Sequence, residues 1–166
     1  STFAAAIDMG SYGTLSTWFT DFDYGSTEVT NVLNQNGTGE YFNANELAAS
    51  ISYGRSLVDW FAFGASIKTI SSNIWHSTAR AIALDLGVIV KTDFFSTTND
   101  RKNGMSIGMS ISNYGSRMRY DGIDLINTID ILENENGNYE NVIGQYRTEL
   151  WELPLIFRLG LSLIHI

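Results

Sequence analysis

The chain has 166 residues, a formal net charge of −8 and no cysteine. That acidity excludes a nucleic-acid surface built on phosphate neutralisation, and the lack of thiols excludes disulfides and thiolate metal sites. Charged residues make up 17% and aromatics 13%, with 15 glycines, against roughly 25% charge in ordinary soluble domains. The length suits one domain spanning residues 1–166. No apolar run reaches the ~18 residues that a membrane-crossing helix needs.

Taken in order, residues 1–10 are too short to place, and residues 11–20 read as a strand with Leu15 and Phe19 on one face and Tyr12 and Trp18 on the other. A long polar connection follows over residues 21–45, its glycines and asparagines marking turns. Asn43 and Glu46 offer a helix-capping pair there, set below the strand pattern that starts at once. In residues 47–57, Leu47, Ala49, Ile51 and Tyr53 alternate with Ala48, Ser50, Ser52 and Gly54. Residues 58–60 make a tight turn. In residues 61–72, Phe61, Phe63, Ala65 and Ile67 oppose Ala62, Gly64, Ser66 and Lys68. After a loop at 73–78, residues 79–92 set Ile82, Leu84, Leu86, Val88 and Val90 against Ala81, Ala83, Asp85, Gly87 and Lys91.

A polar turn at 93–103 leads to residues 104–115, where Met105, Ile107, Met109 and Ile111 oppose Ser106, Gly108, Ser110 and Ser112. A second long connection spans 116–148, with room for one or two helical turns in 123–132. The last strand, 149–163, carries Trp151, Leu153, Leu155, Phe157, Leu159 and Leu161 on its apolar face and Glu152, Arg158, Gly160 and Ser162 opposite.

A period of two is the strand signature. One face is always apolar. The other is glycine, alanine and serine with an occasional full charge, unlike the charge-crowded water face of a soluble sandwich. Apolar outside and small, polar inside describe an antiparallel transmembrane β-barrel. Counting alternate connections places both long loops at one end of the sheet, as in outer-membrane barrels. Six to seven strands fall short of the eight or so that a bacterial barrel requires. The expectation is therefore a partial barrel, lacking strands at one or both ends and the signal peptide before them, with the closing LSLIHI open to being foreign sequence.

The order of SYGRSL, FAFGASIK, AIALDLGVIVKTD, GMSIGMSISNYGSRMRY and WELPLIFRLGL resembles the PorV/PorQ family of outer-membrane proteins, relatives of the FadL-type long-chain fatty acid transporters. The matches fall at residues 52–55, 63–68, 85–87, 112–115 and 153–160, with EVT at 28–30 and GTGE at 37–40 also of familial type. Tyr114 replaces the family's usual leucine or phenylalanine, and the family's N-terminal glycine-rich stretch and asparagine-proline motif are not in this sequence. The resemblance implies a FadL-like barrel in the bacterial outer membrane. It also implies a non-catalytic part in type IX protein secretion or envelope assembly, with secreted proteins bearing C-terminal signal domains and secretion-system subunits as partners. A FadL-like passive transporter of hydrophobic small molecules is one alternative reading, and a soluble all-β binding module is another.

On the small-residue faces, Lys68, Asp85, Glu152 and Arg158 are the candidate lumen residues. They would gate a channel or bind a polar head group, although structural pairing alone would also account for them, because charges against lipid are costly. Trp60, Trp75 and Trp151 are candidates for an aromatic belt at the two membrane interfaces. The ENENGNYEN segment at 133–141 looks like a calcium loop, but Leu132 breaks the ligand ladder. His76 and His165 lack metal-ligand spacing, and the glycines fit no phosphate-binding loop. No catalytic residue, metal or cofactor is assigned. The expected contacts are outer-membrane lipid, the two long loops as docking surfaces, and no nucleic acid.

Overall fold

The computed structural model describes residues 1–96, 101, 104–129 and 142–163. The alternating pattern folds as expected into an all-β, antiparallel architecture: β1 (Thr2–Asp8), β2 (Thr14–Glu28), β3 (Tyr41–Val58), β4 (Phe61–Ile74), β5 (Ser77–Lys91), β6 (Met105–Gly115), β7 (Asp121–Gly122), β8 (Ile126–Ile129), β9 (Val142–Gln145) and β10 (Ile156–Leu163). The main sheet runs β1-β2-β3-β4-β5-β6-β10, with β7 extending the edge of β5, while β8 and β9 form a separate hairpin. Among the described residues β1 pairs only with β2 and β10 only with β6, so the sheet is open.

Two expectations are corrected at the N-terminal end. Residues 2–8, too short to place from sequence, pair along their whole length with residues 14–20. The connection expected over residues 21–45 is mostly strand: β2 continues to Glu28 and β3 begins at Tyr41, paired across a register shift between Asp23 and Ser26. Gly25 sits at that shift with φ +77°, and its amide donates to Asp23 Oδ1 at 2.8 Å. Asparagine, aspartate and glycine resemble loop composition, but a strand wetted on both faces carries the same residues. Asn43 and Glu46 lie inside β3 and cap no helix.

The second long connection also departs from expectation. Its helical potential yields a single 3-10 turn, Ile123–Leu125, followed directly by β8; residues 130–132 lie outside the described residues. The last strand begins at Ile156 rather than 149. Pro154 has no N–H to give to a ladder, and before it the strand pairing between the two segments is reduced, among the described residues, to an isolated bridge between Trp151 and Met118.

Register fixes the faces. Leu15, Tyr53, Ala65, Leu86, Ile111 and Phe157 are successive cross-strand partners on the apolar face. Thr14, Gly54, Gly64, Gly87, Ser110 and Arg158 form the adjacent row on the small-residue face. The sheet is a single layer. Nothing among the described residues packs on its apolar face: Ile51, Ile67, Leu86, Phe157 and Leu159 are each more than half exposed. Among the described residues the buried apolar side chains are Ala79, Ala81, Ala83 and Met118, and the alanines belong to the small-residue face of β5.

Candidate functional site

The small-residue face is built around one ion pair. Lys68 on β4 stands opposite Ala83, and Asp85 on β5 opposite Ser66, so the two are diagonal neighbours within reach of a long side chain. Lys68 Nζ lies 2.8 Å from both Asp85 oxygens, with side chains 11% and 28% exposed. Asp85 Oδ1 also accepts the Asn113 amide at 2.7 Å. Asn113 has φ +67°, the left-handed region that asparagine tolerates better than most side chains. It occupies a bulge, because β6 slips register against β5 between Leu84 and Leu86. Its side-chain amide donates to Pro154 O at 2.8 Å. Four segments separated in sequence, around Lys68, Asp85, Asn113 and Pro154, thus meet at one point.

Beyond the bulge the chain curls onto the small-residue face. Gly115 lies so close to β5 that an added Cβ would sit 2.3 Å from Ile82 O. Ser116 then clasps Ile82, its amide donating to Ile82 O at 2.9 Å and its Oγ accepting the Ile82 amide at 3.1 Å. Met118 is buried on Ala79 and Ala81, with Ile70, Tyr120 and Leu153 around it. The Tyr120 hydroxyl and Ser72 Oγ are 2.7 Å apart. At the β4–β5 turn, Asp124 accepts both His76 Nδ1 at 2.8 Å and the His76 amide at 3.1 Å. The bond from the His76 ring, with a smaller contribution from its amide, holds the Asp124 carboxyl below its ordinary value.

The half of the face beyond this curl is open. A concavity of about 810 Å³ lies over it, lined by Ser52, Gly64, Asp85, Gly87, Ser110 and Arg158 among others.

Of the four lumen candidates, Lys68 and Asp85 are paired, and Arg158 lines the same concavity on β10. Glu152 is elsewhere: its Oε1 takes both Arg117 Nε at 3.0 Å and Nη2 at 2.7 Å, with both side chains largely exposed. Trp60 and Trp75 close the turns before and after β4 and therefore stand at opposite ends of that strand. The Arg101 guanidinium lies 5.4 Å from the Trp60 ring centre, and Trp75 stacks on His76 at 4.9 Å. Trp151 does not join them, because its ring lies 5.3 Å from Tyr120 on the small-residue side. Leu153, expected on the apolar face with Phe157, packs instead on the Ala79–Met118 cluster. Residues 133–141 and His165 lie outside the described residues.

Sequence reasoning missed Asn113, Met118, Tyr120 and Asp124. Asn113 alone carried a signal: an asparagine between a serine strand and a glycine is a common left-handed bulge residue. No protein-family model, curated protein or solved structure matches this chain.

Proposed function

We propose that the chain forms the wall of an outer-membrane β-barrel that works by binding rather than by catalysis. The bare apolar face carries this reading. In a soluble sandwich that face would pack on a second sheet, yet here its leucines, isoleucines and phenylalanines cover seven strands with nothing against them among the described residues. From Ile82 to Val90 the apolar face of β5 runs for ~27 Å at ~3.4 Å per residue. Tilted by ~40°, this is ~20 Å, close to the ~25 Å band of outer-membrane barrels. Arg80 follows Ile82 outward on the same face, and Trp60 and Trp75 stand at the two ends of β4 as interfacial anchors.

Two uses of such a wall follow from the resemblance to the PorV/PorQ family. Docking of secreted proteins would fall to the end bearing the two long connections. Passive carriage of a small molecule is favoured by a specific observation: the concavity lies on the interior face, while much of the second connection is pinned to the sheet through Met118, Tyr120 and Asp124.

Reconstitution into phosphatidylcholine vesicles tests the wall. Ile67→Lys, on the apolar face, is expected to cost ~2–4 kcal/mol of stability in lipid, and Ala62→Lys, on the small-residue face, far less. A folded, monomeric, detergent-free protein that ignores vesicles would overturn the proposal.

A further inference from the structure

We infer that residues 116–120, backed by residues 148–153, form an inward-folded strap that narrows the lumen between the open concavity and the end bearing the long connections, with Met118 as its latch. The inference rests on the barrel reading above, since only there is the small-residue face a lumen.

Position comes first. The covered part of β5 runs from Ser77 to Ala83, next to the turn at Trp75 and His76. The concavity takes up the rest of the face, from Asp85 and Gly87 on β5 across to Gly54 and Thr14. Neighbouring strands are antiparallel, so the turn between β4 and β5 shares its end of the sheet with the β2–β3 connection and the β6–β10 connection. The strap thus lies between the concavity and that end.

The strap is built into the wall at both ends. At one end the Ser116 amide and hydroxyl clasp Ile82. At the other, Asp121 and Gly122 pair with Thr78 and Ser77. A Cβ on Gly115 would lie 2.3 Å from Ile82 O, and one on Gly122 would lie 2.3 Å from His76 O. Glycine at both positions lets the backbone press on β5. Between these anchors the chain turns Met118 onto Ala79 and Ala81, and all three are buried. Side chains larger than alanine at 79 and 81 would fill the space that Met118 occupies. The buried Ser72 hydroxyl on β4 finds a partner in the strap, 2.7 Å from the Tyr120 hydroxyl. Residues 148–153 add a second layer: Met118 and Trp151 exchange both backbone bonds, at 2.9 and 3.0 Å, and Thr148 Oγ1 donates to Tyr120 O at 2.7 Å. A loop projecting into solvent would need neither the two glycines nor the row of alanines. The middle of the strap is held by one apolar side chain, so a polar residue there, or a larger one beneath it, releases the strap without touching the pairing of β4 with β5.

The test is efflux of entrapped glucose from phosphatidylcholine vesicles holding the full chain. Protease protection is measured on the same preparation, so that loss of the barrel and loss of the strap are scored separately. Met118→Asp sets a carboxylate against the alanines, and Ala81→Leu fills the latch site from the wall side. Each is expected to speed efflux about tenfold or more, as the apolar contact is lost. In the wild type Met118 should resist oxidation by hydrogen peroxide, read by mass spectrometry, about tenfold better than the exposed Met9, and it should lose that advantage in Ala81→Leu. Equal efflux from the wild type and both variants in protease-protected preparations overturns the strap and leaves the barrel standing. Oxidation of Met118 as fast as Met9 in the wild type does the same. So does loss of protease protection in both variants, because it makes Met118 part of the wall's own packing. Failure of the wild type to enter vesicles overturns both readings.

Discussion

Lys68→Met probes the centre of the small-residue face. The mutation removes a cation 2.8 Å from both oxygens of Asp85 and leaves that carboxylate with the Asn113 amide alone. At an effective dielectric of ~20 the lost attraction at this separation is ~6 kcal/mol before the desolvation of the pair is set against it. A fully buried pair that loses one partner costs ~3–5 kcal/mol, but Asp85 is 28% exposed and recovers part of this from water. We expect ~2 kcal/mol of destabilisation. Asp85→Asn should cost about as much, since it strands a cation that is only 11% exposed but keeps an oxygen for the Asn113 amide. The double variant Lys68→Met/Asp85→Asn removes both charges and preserves that acceptor, so it should return to within ~1 kcal/mol of the wild type. Urea unfolding in vesicles, followed by tryptophan fluorescence, measures all four proteins. If the two single effects add in the double variant, or each falls below ~0.5 kcal/mol, the pair is not coupled and the reasoning fails.

Other outcomes follow from neighbouring geometry. Gly115→Ala places a Cβ 2.3 Å from Ile82 O and should cost ~2 kcal/mol or more, whereas at Gly160 the nearest atom is 4.0 Å away and alanine should be tolerated; folding yield separates the two. Asn113→Gly keeps the left-handed backbone and loses only the bond to Pro154, about 1 kcal/mol. Asn113→Val adds the strain of a β-branched residue at φ +67°, so unfolding midpoints should rank wild type, glycine, valine. The Asp124 carboxyl is held below its ordinary value by His76, so the unfolded chain takes up this proton more readily than the folded one. The stabilisation is present above the ordinary carboxylate range and is lost as pH falls through the lowered folded value. Protection of the His76 amide against hydrogen exchange, taken relative to the intrinsic rate at each pH, should fall on acidification through that window, and Asp124→Asn should flatten the response.

The strand pattern was legible because a period of two survives wherever one face must be apolar. Ile51, Ile67, Leu84 and Ile111 fall on the side the alternation assigned them. Alternation fails where both sides of a strand are polar, which is why residues 21–28 and 41–46 read as loop. At the C-terminal end it misled, because Trp151, Leu153 and Leu155 continue the rhythm of β10 while Pro154 breaks the ladder beneath them. A contact between distant residues leaves no mark in a local pattern, so nothing in the sequence joined Asp85 to Asn113 or Met118 to Ala79.

By itself, then, the sequence determined the strand content, the two faces and the placing of Lys68, Asp85 and Arg158 on the small-residue one, since side-chain direction in a strand follows from position alone. Tertiary structure decided which charges meet. Register set Lys68 diagonal to Asp85, the bulge at Asn113 turned a backbone amide onto the same carboxylate, and the curl beyond Gly115 covered one half of the face and left Arg158 facing the other. Those relations depend on strand pairing and backbone curvature, and two residues far apart in the chain become neighbours only once the sheet has formed.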